Sequence, residues 1–270
     1  MLTLNGEPGT IQPGLQVMER NKLFYVTNAE LPPNEPGWSL ALQKLGFEER
    51  TYFIMGDITR WQEILGRQGI SGKFFSAKKA SPADIIGKAR EEKASLITVN
   101  LSSDGMGISR KSMTRSLIRF TQVPLLLIPE VPIESVAGTP DQDIFDHVIF
   151  ATDWSPFSQK SMETLSNLKE NINELEIVTV INKKLSIRDM IGLKDMLEET
   201  RSQLLDQGID AEGHVYAGKP SEEILLTVKD YGGTVIVMDA SHRSALKTFF
   251  YGNCTYEVAD KAEVPILVIP

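Results

Sequence analysis

The chain has 270 residues, of which 41% are hydrophobic and 24% are charged, and its formal net charge is −8. This length suffices for one large domain or for two of ordinary size, and the apolar content suffices for packed cores. The acidic balance excludes a general affinity for nucleic acid or for anionic membranes. With a single cysteine, Cys254, the chain cannot form an intrachain disulfide, and we expect a cytoplasmic protein.

The sequence shows no pattern of a secretion signal, a membrane span or a metal motif. Its first 16 residues lack a cationic segment followed by an apolar run. Apolar runs such as 123–128 and 264–269 have the length of strands and fall far short of the roughly 20 residues that span a bilayer. The three histidines and the cysteine show no zinc-ligand spacing. We therefore expect a soluble protein without a metal.

The first half of the chain alternates short apolar runs with helical segments. Residues 1–20 are rich in Gly and Pro and are not assigned. The pattern Ser81-Pro82-Ala83-Asp84 predicts the start of a helix, because it matches a capping box. A Pro-, Gly- and acid-rich linker is expected at 130–143. Strands are predicted at 24–28, 96–99 and 123–129.

The second half shows the same alternation more completely. Strands are predicted at 148–151, 175–181, 214–216, 234–238 and 264–269. Helices are predicted after Ser155-Pro156, at 187–207, after a Ser221 cap, and around 251–261. Strands of continuous apolar character that alternate with helices indicate a parallel sheet covered on both faces.

Three blocks of sequence recur in the same order. Residues 84–99 resemble 223–238, 123–129 resemble 264–270, and 24–28 align with 149–153. Such ordered matches indicate a tandem repeat, and we predict two domains at 1–129 and 143–270. Their last strands, 125–128 and 266–269, lack the charges that protect an edge strand, so we expect them to pair in a pseudo-two-fold arrangement.

Several short motifs carry a family resemblance. Ala151-Thr152-Asp153-Trp154-Ser155 and Ala217-Gly218-Lys219-Pro220 are followed by 235–238, 241–246, Gly252 and Val264-Pro265. In this order they resemble the universal stress protein family in its tandem form. The resemblance implies two adenine-nucleotide-α-hydrolase-like domains, each a five-stranded parallel sheet in the order 3-2-1-4-5 with helices on both faces. It also implies a stress-response role, in which many members bind ATP or AMP without being established enzymes.

The resemblance locates a candidate nucleotide cleft in the second domain. ATP-binding members carry a loop of pattern G-x2-G-x9-G-[S/T], whose glycines let backbone N–H groups approach phosphate oxygens. Of these glycines only Gly252 is kept, and Asp239 places a carboxylate near the expected phosphates. The candidate cofactor-binding residues are Asp153, Ile181, Gly218, Asp239, His242, Gly252 and Asn253.

The first copy departs further from the family pattern. Asn28 replaces the aspartate at the nucleoside end, and Asn100 and Ser103 replace the first two glycines. Lys111-Ser112 stand in place of the final Gly-[S/T] pair. We therefore expect the first domain to be structural, and any ATP or AMP to be confined to the second.

Two interpretations remain open for some of these residues. Asp153 either contacts a nucleoside or helps to cap the helix that follows. Ser241-His242-Arg243 either grips a phosphate or forms a solvated loop. Gly218 is expected to serve a structural turn first and a ligand second. Cys254 and Trp154 are expected to be packing residues.

The expected function is regulatory and not enzymatic. The sequence contains no P-loop, no G-x-S-x-G elbow and no H-E-x-x-H motif. We expect a stress-response protein that acts through an unidentified regulatory protein partner, without a cofactor, and a further association into a homodimer stays open. The main alternative is an AMP or ATP sensor that uses the C-terminal domain only. A hydrolase of the same fold group and a phospho-receiver are further alternatives.

Overall fold

The structure, a computed structural model, describes residues 22–28, 42, 45–100, 109–129, 143–154, 158–240 and 253–270. The described part of the first half contains β1 (Lys22–Asn28), β2 (Glu49–Met55), α1 (Thr59–Arg67), β3 (Lys73–Ala77), α2 (Pro82–Glu91), β4 (Leu96–Asn100), α3 (Arg110–Phe120) and β5 (Leu125–Ile128). The described part of the second half contains β6 (His147–Ala151), α4 (Ser158–Leu168), a 3-10 turn (Lys169–Asn171), β7 (Glu174–Ile181), α5 (Ile187–Asp206), β8 (Asp210–Ala217), α6 (Pro220–Tyr231), β9 (Val235–Asp239), α7 (Cys254–Lys261) and β10 (Ile266–Ile269).

The ten strands form one continuous sheet in the order β3-β2-β1-β4-β5-β10-β9-β6-β7-β8. Each half therefore has the predicted order 3-2-1-4-5, and its strands pair in parallel. The halves meet where β5 and β10 pair antiparallel, with Leu126 opposite Leu267. The predicted pairing of the last strands is present, and it merges the two five-stranded sheets into one.

Two hydrophobic cores lie on opposite faces of this sheet, and each extends through both halves. Ile149, Ile236 and Ile266 lie on the face covered by α2, α3, α6 and α7. Their sequence neighbours Phe150 and Leu267 lie on the face covered by α1, α4 and α5. Successive strand side chains point to opposite faces, so a strand covered on both faces is apolar throughout. This explains why the central strands appear in the sequence as unbroken apolar runs.

Helices α3 and α7 add charged contacts beside the β5–β10 junction. The Asp260 carboxylate on α7 lies 3.7 Å from Lys111 Nζ and 4.0 Å from an Arg115 guanidinium nitrogen, both on α3. The Arg115 guanidinium also lies 5.8 Å from the centre of the Tyr256 ring. Lys111, which takes the place of a phosphate-loop glycine in the first copy, thus faces the second half of the molecule.

The helix starts follow the sequence with one correction. The capping box at Ser81 is present, since the Ser81 hydroxyl accepts from the Asp84 amide and the Asp84 carboxylate accepts from the Ser81 amide. Ser221, predicted to cap α6, does not do so. The helix begins at Pro220, so its N-cap position lies two residues before Ser221, at Lys219, which provides no side-chain cap. Proline fits the first helical position because its missing N–H would be unpaired there.

One strand is longer than the sequence predicted, and one predicted helix start is not described. Strand β8 has eight residues, whereas the sequence predicted only 214–216, because β8 lies at an edge of the sheet and alternates exposed and buried residues. The predicted helix start at Ser155-Pro156 lies outside the described residues. In the part of the chain that the structure describes, no helix is both long and apolar enough to cross a membrane.

Candidate functional site

The candidate cleft lies where the strands of the second half end. Because β6, β7, β8 and β9 are parallel, their carboxyl ends share one edge of the sheet. The strand order reverses between β6 and β9, which is where open α/β sheets bind ligands. The predicted site residues that the structure describes at this edge are Asp153, Ile181, Gly218, Asp239 and Asn253. The predicted site residues His242 and Gly252 lie outside the described residues.

Asp239 is the last residue of β9 and is buried, with 6% of its surface exposed. Its carboxylate accepts a hydrogen bond from the Ser161 hydroxyl of α4. Its backbone carbonyl accepts from the Thr255 hydroxyl of α7 at 3.1 Å. The Asp239 carboxylate thus ties the end of β9 to α4 on one face of the sheet, and the Asp239 backbone carbonyl ties it to α7 on the other face. The sequence predicted the carboxylate but not its partner Ser161.

Asp153 lies in a tight turn that leaves β6. The next residue, Trp154, has a φ of 48°, a left-handed conformation that is uncommon for a non-glycine residue. Its backbone N–H donates to the Thr152 hydroxyl and its indole N–H donates to the Thr200 hydroxyl of α5, each at 3.1 Å. The Thr152 N–H in turn donates to the Val178 carbonyl at 3.0 Å. These contacts fix the backbone on both sides of Asp153 at the edge of the sheet.

Gly218 and Ile181 contact each other through their backbones. The Gly218 N–H donates to the Ile181 carbonyl at 3.0 Å, so this N–H is not left for a ligand. A Cβ on Gly218 would collide with the carboxylate of Glu223, which lies over it from the first turn of α6. Gly218 thus serves a structural turn, as predicted, and its lack of a side chain leaves room for an acidic group at the mouth of the cleft.

A charged network that the sequence did not predict joins the starts of α6 and α7. Lys219 Nζ lies 3.1 Å from Glu222 Oε1 and 3.1 Å from Glu257 Oε2. The Ser221 hydroxyl donates to Glu257 Oε2 at 2.6 Å. Hydrogen bonds from Ser221 and Lys219 lower the pKa of Glu257, and the bond to Glu257 followed by the bond to Glu222 raises the pKa of Lys219. Lys219 is thereby engaged by two carboxylates.

Helix α7 begins at Cys254, in the segment to which the family resemblance assigns the phosphate. Asn253 occupies the N-cap position without a side-chain hydrogen bond. A cysteine at a helix start normally has a lowered pKa. Burial, followed by the charges of Glu257 and Asp153, instead raises the pKa of Cys254 to about 12. Cys254 is buried, as predicted, and this burial is the main cause of its raised pKa.

The corresponding edge of the first half offers less. Asn100 ends β4 at the position equivalent to Asp239 and is buried. Lys111 faces Asp260 across the junction between the halves. Asn28 ends β1, and its side chain, like Ser103, lies outside the described part of the structure. The described residues of the first half thus give no set of groups arranged for a phosphate.

Comparison with known proteins identifies the second half. The model of the universal stress protein family matches residues 145–270. Universal stress protein YxiE of Bacillus subtilis is 26% identical over 148 residues, which cover 47% of this chain and 99% of that protein. Universal stress protein MJ0577 of Methanocaldococcus jannaschii is 30% identical over 76 residues, which cover 28% of this chain and 47% of that protein.

A solved structure extends the similarity to both halves. The crystal structure of a universal stress protein from Archaeoglobus fulgidus aligns with a TM-score of 0.63 over 91% of this chain and 95% of that chain, at 17% sequence identity. At this identity the likeness shows the fold alone, an α/β fold with a mostly parallel sheet. The resemblance that the motifs predicted is confirmed. The second half of the chain therefore carries a domain of the universal stress protein family, at residues 145–270.

Proposed function

We propose that this chain is a stress-response regulator of the universal stress type that acts through a protein partner and does not hold ATP. The observation that carries this proposal is the buried Asp239 at the first glycine position of the phosphate loop. Glu257 and Asp153 add negative charge near the start of α7. Two unit charges 4 Å apart repel by about 4 kcal/mol at an effective dielectric of 20. That is about half of the roughly 8 kcal/mol of a micromolar affinity.

The proposed organisation is a pseudo-dimer of two domains, at 1–129 and 143–270. The β5–β10 pairing and the contacts of Lys111 and Arg115 with Asp260 support it. In this organisation the first domain is structural. It covers the last strand of the second domain, which would otherwise be an unprotected edge.

An apolar patch supports the proposal of a protein partner. The first two turns of α5 expose Ile187, Met190 and Ile191, at 83%, 46% and 58% respectively. Contiguous exposed apolar side chains commonly mark interaction sites. We expect the double variant Ile187→Ser/Ile191→Ser to have the same Tm as wild type. In stressed cells, proteins that crosslink to wild type should no longer crosslink to this variant. Equal crosslinking of both proteins would contradict the role of this patch.

Isothermal titration of the full chain with ATP, with and without Mg²⁺, and with AMP tests the nucleotide part of the proposal. We expect no saturable binding at micromolar concentrations for wild type. Asp239→Asn keeps an oxygen that can accept from Ser161 and removes the charge, so it should gain measurable affinity. Glu198→Gln, which removes an exposed carboxylate on α5, is the matched control and should gain none.

The second candidate function is an AMP or ATP sensor that uses the second domain only. It is favoured by the fixed turn that holds Asp153 at the edge of the sheet and by the uncapped start of α7 at Asn253. Micromolar binding to wild type that is abolished by Asp153→Ala would select this function and reject the first. We propose no hydrolysis in either case. Phosphate release above that of a heat-denatured control would overturn this.

A further inference from the structure

A buried carboxylate lies between two histidines in the amino-terminal part of the second-half strands. Glu176 of β7 has 6% of its surface exposed. Its Oε1 lies 3.0 Å from His147 Nε2 of β6, and its Oε2 lies 2.6 Å from His214 Nε2 of β8. The cluster lies within the strands, whereas the candidate cleft lies beyond their carboxyl ends. The sequence did not reveal it, because strand pairing joins residues as far apart as 29 and 38 positions.

Three side chains of this cluster form a compact set of donors. Glu176, Glu212 and His214 each offer one ligand atom, and the three atoms lie within 4.8 Å of one another. Glu176 and Glu212 occupy paired positions on β7 and β8, so the strand register itself places both carboxylates on one face. Glu212 is exposed and leaves the set open to solvent on one side.

Outer contacts hold the two histidines in orientation. The Tyr231 hydroxyl at the end of α6 lies 3.4 Å from His214 Nδ1, and the two rings are 4.9 Å apart. This leaves His214 Nε2 directed at Glu176. His147 lies behind Glu176, with its Nδ1 3.4 Å from Glu174 Oε2. In metal sites, partners of this kind on the second ring nitrogen and on the carboxylate ligand fix the geometry of the ligands.

We propose that Glu176, Glu212 and His214 bind one divalent transition-metal ion, with Zn²⁺ as the preferred ion. Mg²⁺ and Ca²⁺ favour sites made only of oxygen, whereas an imidazole with two carboxylates is a donor set that Zn²⁺ uses with water as the fourth ligand. Ligand atoms at about 2.0–2.2 Å from a tetrahedral zinc lie about 3.4 Å apart. Rotation of the exposed Glu212 side chain can therefore bring its carboxylate to the ion. The bound ion then replaces the direct contact between His214 and Glu176.

The ion would tie the outermost strand to its neighbour. Strand β8 pairs with β7 alone and ends the described sheet on that side. A ligand that binds only the folded state stabilises it by mass action. Zinc bound between β7 and β8 would thus raise the stability of this edge.

Two titrations of the full chain, each after treatment with a chelator, test the proposal. Calorimetry measures the binding of Zn²⁺, and visible absorption measures the binding of Co²⁺ in its place. We expect one equivalent to bind and the Tm to rise. Glu212→Gln removes an exposed ligand without touching the core, and it should weaken binding at least about tenfold. His214→Gln should abolish binding. Glu198→Gln, on α5 and outside the donor set, should bind as wild type does.

Two outcomes would overturn the proposal. One is the absence of stoichiometric binding to the wild-type chain. The other is equal affinity of wild type and Glu212→Gln, which would place the ion elsewhere. The metal-free Tm and the far-ultraviolet circular dichroism of each variant report folding separately. Because Glu212 is exposed, its variant gives a result even where His214→Gln fails to fold.

Discussion

At the scale of single residues, tight contacts in the second half limit which side chains can change. A Cβ on Gly233 would lie 2.5 Å from Cγ1 of Ile149, whose side chain is buried in the core. A Cβ on Gly87, inside α2, would meet nothing within 4 Å. We expect Gly233→Ala to lower the free energy of unfolding by about 1–3 kcal/mol through overpacking. Gly87→Ala should raise it by up to about 1 kcal/mol, since alanine favours helix. Urea titration would measure both changes. Equal changes in the free energy of unfolding for the two variants would contradict this expectation.

Cys254 gives a second prediction at this scale. With a pKa of about 12, its thiol is protonated at neutral and mildly alkaline pH. About one molecule in 10,000 carries the thiolate at pH 8, and the thiolate is the form that reacts. We therefore expect iodoacetamide to modify the folded chain very slowly and the urea-unfolded chain rapidly, as followed by mass spectrometry. Rapid alkylation of the folded chain would show a thiol that is accessible and acidic.

Single residues also show where sequence reasoning stopped. The sequence marked Cys254 correctly as a core residue. It assigned Ser221 to a helix cap, yet that hydroxyl donates to Glu257 on another helix. It overlooked Ser161 and Thr200, which bond to Asp239 and Trp154 across the fold. Local patterns report local hydrogen bonds, whereas these partners become neighbours only when the helices pack on the sheet.

At the scale of elements, two capping boxes couple helix stability to pH. Ser81 with Asp84 caps α2, and Ser186 with Asp189 caps α5. In each box the serine hydroxyl and then the serine amide hold the pKa of the aspartate below its usual value of 3.8. A lowered pKa in the folded state stabilises the protein above the unfolded pKa, and this contribution is lost as the pH falls through the folded pKa.

The variants of one box test this sign. Asp84→Asn removes the titrating group, so its stability should fall less steeply than that of wild type when the pH drops from 5 towards 2. Ser81→Ala removes the cap itself and should cost about 1 kcal/mol at neutral pH. Thermal unfolding as a function of pH measures both effects. If the stability of wild type and of Asp84→Asn fell equally steeply as the pH drops from 5 towards 2, this role of Asp84 would be contradicted.

Element boundaries follow the sequence best where strands are buried on both faces. The apolar runs located β4, β5, β9 and β10 to within two residues. Strand β8 was underestimated, because an edge strand with one solvated face has no continuous apolar run. The family resemblance predicted the strand order that parallel pairing then produces in each half.

At the scale of the whole molecule, the continuous sheet predicts that both halves unfold together. Of the three tryptophans, Trp38 and Trp61 lie in the first half and Trp154 in the second, so variants that keep only Trp61 or only Trp154 report on each half. We expect coincident urea transitions from the two probes. Leu267→Ala at the junction should shift both midpoints and cost about 2–5 kcal/mol. Leu226→Ala, on an exposed face of α6, is the control. Two separate midpoints would show that the halves unfold independently.

The most direct test of the proposed function is a crystal structure of the full chain grown with ATP and Mg²⁺ in excess. We expect no nucleotide density between Asp153 and Asn253, and we expect the hydrogen bond from Ser161 to Asp239 to be intact. A nucleotide with its phosphates at the start of α7 and its nucleoside against Asp153 would contradict it.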